Sequence, residues 1–370
     1  MNGEFLPMVY RCSFFGEAPH LSLSDQALIV DNELSDIPDG YGLYFISKDY
    51  HGDIPGLKNA YPLPINCGSG SFVKLSVDGK PEVLSTADYP DRTLYTTGLC
   101  NSNCIMCPYT ERFRLNSKPE SLFLLNRFID LMDPNAEYVC ITGGEPTILK
   151  DGFLELVEHV KNHFCTSILH ILTNGRTFSY KSFFDDYRAR RPYQTLLGIP
   201  LHAADASLHD AITQSPGSFE ETRRGLDNLY NSGERIEIRI VTSKLNYTNL
   251  AALSKMIVKY YPYCQHVCFM GLEMMGNAMM HRKDVWCNYD ELWPYVRESC
   301  DILISAGVNV QLYNYPLCLV NKSLHALYKR SITPSKIEYL PECDTCRKKH
   351  ECGGFFRTTK VMPDITVRPY

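Results

Sequence analysis

From Leu94 onward, short apolar runs alternate with stretches of helical periodicity. "TLYTT", "YVCITGGEPTIL" (138–149), "SILHILTNG" (167–175), "TLLGIPLHA", "RIEIRIVTS", "HVCFMGLE" and "VNVQLYN" are apolar runs that each predict a strand. Between them, "SLFLLNRFIDLMD" (121–133), "FLELVEHVKNHF" (153–164), "KSFFDDYRARR", "SFEETRRGLDNLYNSG" (218–233), "NLAALSKMIVKYY" and "YDELWPYVRESCDILISAG" predict helices. About six strand–helix units fit between residues 94 and 315. The expectation is an α/β fold with a parallel sheet, as a partial (β/α)6-type barrel, with its chemistry at the C-terminal ends of the strands.

The pattern differs on either side. Residues 1–90 hold "ALIVDN", "GYGLYFIS" and "SFVKLSVDGKPEVLS", β-rich runs with a hairpin signal at the Asp-Gly of "VDGK". They predict a β-rich N-terminal domain over 1–90, a barrel over 91–315 and a separate extension over 316–370. In that extension "ECDTCRKKHECGGFF" is rich in cysteine and too short for a core of its own, which points to organisation by a metal.

Composition narrows the class. A chain of 370 residues, 44% hydrophobic and 21% charged, reads as globular, and its formal net charge of −5 argues against nucleic acid or an anionic membrane as partner. No apolar run is long enough to span a bilayer, and the first residues carry no signal-peptide pattern, so a cytoplasmic, reducing setting is expected. There the 15 cysteines are kept for metal or chemistry. Outside the clusters below, Cys12, Cys67, Cys140, Cys165, Cys264, Cys268, Cys287 and Cys300 read mostly as small core residues.

"GLCNSNCIMC" sets Cys100, Cys104 and Cys107 on one loop directly after a strand. Such spacing suits zinc or an iron–sulfur cluster. A structural zinc site asks for four ligands, usually in paired knuckles. Three thiolates fit a 4Fe–4S cluster with one open iron, where a further ligand can bind; structural zinc and unliganded thiols are the alternatives. One strand–helix unit later, "ITGGEPTIL" places Gly143 and Gly144, which allow a close backbone approach by a ligand, before Glu145, an acceptor for an amine or a simple helix cap.

The triplet with the Gly-Gly-Glu-Pro motif resembles the radical S-adenosylmethionine (SAM) enzymes over roughly 94–315. The resemblance implies that Cys100, Cys104 and Cys107 hold a 4Fe–4S cluster whose open iron chelates SAM. Cleavage of SAM then yields a 5′-deoxyadenosyl radical that abstracts a substrate hydrogen. It implies that Gly143, Gly144 and Glu145 contact the methionyl amine, and that Asn174, Arg239 and Asn246 touch SAM, unless they are turn or ion-pair residues. Met106 stands where the family often has an aromatic residue. His202, Asp205 and His209 of "LHAADASLHD" are candidates for the site lining or else solvated loop residues, and the methionines of "FMGLEMMGNAMMH" for an adenine cover or else core.

The tail repeats the question. Cys343, Cys346 and Cys352, with Cys318 after the last strand, offer four thiols for a fully ligated second 4Fe–4S cluster. Zinc is the alternative metal and His350 a competing ligand. The arrangement resembles the auxiliary-cluster (SPASM or shorter twitch) extensions of peptide-modifying radical SAM enzymes. With "YNYPLC", it resembles a maturase of the His-Xaa-Ser repeat peptide system. That implies a ribosomally made precursor peptide as substrate, a second radical SAM maturase as partner and a flavodoxin- or ferredoxin-type reductant. The N-terminal domain is then a candidate for peptide recognition by strand pairing, or a cap on an open barrel. A radical SAM enzyme for a small molecule or nucleoside stays open, as does a non-catalytic iron–sulfur electron carrier or metal-held scaffold.

Overall fold

The computed structural model describes residues 8–14, 16–18, 21–31, 34, 37–52, 59–76, 78–86, 92–360, 362 and 365–370. Val77 of the expected hairpin turn and the expected domain boundary at 90–91 lie outside them. The chain forms two compact units: Met1–Tyr95 with Glu120–Cys140 and Glu155–Ile168, and Thr96–Pro119 with Ile141–Leu154 and Leu169–Tyr370. Among the described residues, no helix is long and apolar enough to cross a membrane.

The first unit holds a six-stranded sheet of β1 (Met8–Ser13), β2 (Gln26–Val30), β3 (Leu43–Ile46), β4 (Ala60–Pro62), β5 (Phe72–Leu75) and β6 (Pro81–Ser85), in the order β4-β3-β2-β1-β5-β6. The β5–β6 pair is the antiparallel hairpin that "VDGK" signals, with Gly79 at φ +74°. β1 to β4 pair in parallel, an arrangement the alternation of residues gives no hint of. Cys12, Ala27, Ile29, Leu43, Phe45, Val73 and Leu75 form the core on this sheet.

A seven-stranded sheet follows, of β7 (Thr93–Tyr95), β8 (Tyr138–Thr142), β9 (Ile168–Leu172), β10 (Thr195–Pro200), β11 (Arg235–Val241), β12 (His266–Met270) and β13 (Val310–Tyr313). Its order is the chain order, β7 to β13, and β9 to β13 pair in parallel. The helices are α1 (Glu111–Asn116), α2 (Leu122–Leu131), α3 (Asp151–His163), α4 (Lys181–Arg190), α5 (Ala206–Thr213), α6 (Ser218–Asn231), α7 (Leu250–Tyr260), the short α8 (Asn277–Met280) and α9 (Arg282–Val285), and α10 (Tyr289–Ser305). This is the partial α/β barrel that the alternation predicts, the fold class of the radical SAM resemblance. In the first unit α2 packs on β1, with Phe128 edge-on to Phe72 at 5.1 Å. Two short strands, β14 (Ile337–Glu338) and β15 (Phe355–Phe356), pair antiparallel in the tail.

The two faces of the long sheet differ in chemistry. Along β11, Ile236, Ile238 and Ile240 are fully buried on one face. Glu237 and Arg239 stand on the other. The register sets Glu237 beside His266 and Arg239 beside Cys268. Glu237 Oε2 lies 3.0 Å from His266 Nε2 and 3.7 Å from His170 Nε2. Arg239 Nη1 donates to Glu237 Oε1, and Tyr313 Oη reaches His266 Nε2 at 3.4 Å. Burial alone would raise the Glu237 carboxyl; the His266 hydrogen bond and the Arg239 charge hold it at about 2.

Candidate active site

The loop carrying Cys100, Cys104 and Cys107 leaves the C-terminal end of β7 and is fastened along its length. Asn103 N–H donates to Thr213 O and Ile105 N–H to Ile212 O, both at 2.9 Å, so the loop pairs with the end of α5. The guanidinium of Arg176 donates to Asn101 O (2.6 Å), Ser102 Oγ (3.0 Å) and Ser215 Oγ (2.9 Å). Asn277 is buried; its Nδ2 donates to Asn103 Oδ1 and Cys104 O, both at 3.1 Å, and its Oδ1 accepts Glu111 N–H at 3.2 Å. Met106 packs in a cluster with Leu272, Met274 and Ala278. Met274 is therefore core, whereas Met275 and Met280 are exposed.

The two glycines explain themselves at this loop. A Cβ on Gly143 would meet the backbone of Thr97, and one on Gly144 the carbonyl oxygens of Leu99 and Gly98. Gly144 N–H donates to Thr97 O (2.6 Å) and Glu145 N–H to Leu99 O (2.8 Å). The close approach is thus made by the cysteine loop's own backbone. Glu145 is fully buried. Its Oε1 accepts Thr147 N–H (3.0 Å) and the hydroxyls of Thr147 and Thr173 (2.7 Å each), and Oε2 accepts Asn174 N–H at 2.6 Å. Burial raises its pKa against those bonds.

Of the residues matched to SAM by resemblance, Asn174 stands at the end of β9 with its amide on Asn101 Oδ1 (2.6 Å). Asn246 is buried and engaged at every polar atom: its amide N–H groups donate to His202 O and Val241 O, and its oxygen accepts from Ser243 N–H and Oγ. That makes it a staple of the turn after β11. Arg239 belongs to the Glu237 network. His202 and His209 are both buried, with rings 5.4 Å apart, rather than solvated. Asp205 caps α5 by accepting Leu208 N–H at 2.9 Å.

The three thiols share one electrostatic neighbourhood. Burial pushes Cys100 up to about 11 and Cys104 to about 12, and raises Cys107, with neighbouring thiols adding for the first two. Arg114 pulls all three the other way. It is buried, its Nη1 donates to Ser102 O, and its Nε and Nη2 find no hydrogen-bond partner among the described residues. Three thiolates outweigh the charge of the iron–sulfur core they hold, so a loaded loop is anionic, and a buried cation with open donors fits it. Arg114, Arg176 and Asn277 were not legible as site residues: an arginine on a short helix and an asparagine in a methionine-rich run carry no spacing signal.

In the tail, Cys318, Cys343, Cys346 and Cys352 line one cavity together with Tyr339 and Tyr370. Leu317 N–H and Gly354 N–H donate to Cys352 Sγ, both at 3.3 Å, and Tyr370 N–H to Cys346 Sγ at 3.4 Å. Burial raises Cys318 to about 11, with the other three thiols adding. His350 is exposed, faces Glu351 and does not line the cavity. Among the described residues, no three His, Cys, Asp or Glu side chains are grouped as ligands of a single metal ion. Thiolates of a cubane each take a different iron and so surround a volume. Cys12, Cys140, Cys264, Cys268, Cys287 and Cys300 are buried, as core cysteines are, whereas Cys67 is half-buried and Cys165 exposed.

The sequence model of the radical SAM superfamily matches residues 94–252. GTP 3′,8-cyclase of Pasteurella multocida is 29% identical over 153 residues, 40% of this chain and 43% of that protein. Mycofactocin maturase MftC of Mycolicibacterium smegmatis is 27% identical over 223 residues, 58% of this chain and 51% of that protein. The chain thus spans about half the length of the curated relatives it matches. The crystal structure of Streptococcus suis SuiB bound to precursor peptide SuiA aligns with a TM-score of 0.48 at 16% identity, covering 60% of this chain and 47% of that one. With the cysteine loop and the Gly-Gly-Glu turn at the strand ends of a partial barrel, residues 94–252 are a radical SAM domain.

Proposed function

We propose that this chain is a radical SAM enzyme that modifies a ribosomally made peptide and carries a second, fully ligated iron–sulfur cluster in its tail. The observation that carries the reading is the convergence of Cys318, Cys343, Cys346 and Cys352 on one cavity, with backbone N–H groups aimed at two of the sulfurs. Peptide-bond donors to sulfur suit metal-bound thiolates, and the resemblance of the tail to auxiliary-cluster extensions supports an iron–sulfur cluster there, with zinc as the alternative. Such a tail beside a radical SAM loop resembles the peptide-modifying members, and the similarity to a maturase supports the same substrate class.

Cys100, Cys104 and Cys107 would hold the first cluster, which with SAM supplies a hydrogen-abstracting radical. The chain's own part is positioning. Asn277, Arg176 and the Gly143–Gly144 turn hold the loop rigid, and Glu145 ties the ends of β8 and β9. The polar face of the sheet, with Glu237, Arg239, His266 and Tyr313, offers donors and acceptors to a polar substrate. The second cluster's role is electron transfer or architecture, since full ligation leaves no iron for substrate. A flavodoxin- or ferredoxin-type reductant in a reducing, cytoplasmic setting is part of this reading; a partner maturase and peptide pairing by the N-terminal sheet extend it.

A nucleotide substrate is the second reading, favoured by the similarity to GTP 3′,8-cyclase. The test is anaerobic turnover of the iron-loaded protein with SAM and dithionite, offered a synthetic peptide of His-Xaa-Ser repeats or GTP. The peptide reading expects peptide-stimulated 5′-deoxyadenosine and a mass change in the peptide. Consumption of GTP with the peptide untouched would replace it with the nucleotide reading.

A further inference from the structure

We infer that Arg114 sets the redox poise of the cluster held by Cys100, Cys104 and Cys107, by turning its unused guanidinium donors toward the thiolates and sulfides. The inference rests on the proposed reading that this loop holds a cluster.

α1 begins at Thr110, whose side chain accepts Phe113 N–H at 3.1 Å. Its burial pattern is inverted. Arg114 is the one residue of the helix that is buried, at 5% exposure, while Phe113 and Leu115 are turned out at 44% and 74%. A helix that buries an arginine while its apolar residues stay exposed with Glu111 and Arg112 breaks the local rule, and such breaks mark functional positions. Arg114 Nη1 holds Ser102 O, between Cys100 and Cys104. Among the described residues Nε and Nη2 have no hydrogen-bond partner, and no carboxylate lies within ion-pair distance of the guanidinium. A buried charge of this kind needs a counter-charge, and the carbonyl it holds belongs to Ser102, inside the loop that carries Cys100, Cys104 and Cys107.

Adding an electron makes the buried, anionic cluster more negative. A fixed cation at its side therefore favours the reduced form, and removing that cation moves the potential down. Arg114 is a positioning residue for charge, since it acts through the cluster.

The experiment is a potentiometric titration of the full chain, reconstituted anaerobically, following the EPR signal that changes when SAM is added. Arg114→Met and Arg114→Gln are expected to lose at least tenfold in the reduced-to-oxidised ratio at fixed poise, a downward shift of about 59 mV or more for a one-electron couple. Arg114→Lys, which keeps the charge, is expected to stay close to wild type. Wild-type potential in the folded neutral variants overturns the inference, as does an equal shift in Arg114→Lys. If Arg114→Met fails to fold, the Gln–Lys pair decides by the same rule. A wild-type chain with no SAM-responsive signal would sink the cluster reading itself, before any variant is compared.

Discussion

The carboxylate of Glu145 accepts the backbone N–H of Asn174 at 2.6 Å, a single bond that joins the end of β8 to the end of β9. With the three donors on its other oxygen, Glu145 works as a staple under the cysteine loop. Glu145→Ala would leave buried donors unmatched and cost about 2–5 kcal/mol. Anaerobic denaturation of the reconstituted protein measures it. A variant that lost only SAM affinity, with stability intact, would contradict the staple and restore the amine contact that the family resemblance implies.

Gly144 tests the loop from the other side. A methyl group there meets the carbonyls of Leu99 and Gly98, backbone atoms that cannot step aside without moving Cys100. Gly144→Ala is expected to lose most of the iron bound by the loop while the far-ultraviolet circular dichroism stays near wild type. Full iron retention would show that the loop has room to shift.

Acid should weaken the fold before it touches most carboxylates. Burial holds His170 down at about 4, His202 at about 3 and His209 at about 4. Each stays neutral in the fold and takes up a proton on unfolding below its unfolded value of about 6.5. The unfolded chain then binds more protons, so stability falls as pH falls from about 6.5 toward 4, by up to about 1.4 kcal/mol per pH unit for each histidine. Glu237, held at about 2, adds a loss only below its unfolded value of about 4.5. Denaturation curves between pH 7 and 5 should show the slope, and His202→Gln should flatten it; a pH-independent midpoint would contradict the neutral histidines.

The parts legible in the sequence share a physical cause. Strands β8 to β13 are buried apolar runs between amphipathic helices, so period alone announces them. The cysteine triplet is legible because ligand spacing is local. The parallel pairing of β1 to β4 is not, because among the described residues the segments joining these strands carry no α-helix to mark it. Arg114 was hidden, and for Glu145 and Asn246 the sequence left a cap or turn role open beside a contact to SAM: whether a polar side chain turns inward to staple, or outward to a ligand, depends on neighbours brought from elsewhere in the chain. Asn246 finds its partners at His202 and Val241, and Arg114 at Ser102.

The tail should separate cleanly from the catalytic loop. Cys352 accepts two backbone N–H groups, from Leu317 and Gly354. Cys352→Ala is expected to remove the second cluster, lowering bound iron by about half, given four irons per cubane. SAM cleavage to 5′-deoxyadenosine should persist in the variant. Loss of both clusters would mean that the tail holds the loop together.

The most direct measurement is the iron and sulfide count of the anaerobically reconstituted wild-type chain, paired with 5′-deoxyadenosine formed on adding dithionite and SAM. Two 4Fe–4S clusters predict about eight irons per chain and SAM cleavage that Cys104→Ala abolishes. Filled metal sites with no 5′-deoxyadenosine, or zinc in place of iron at the loop, would contradict the radical account and leave a metal-held scaffold or electron carrier.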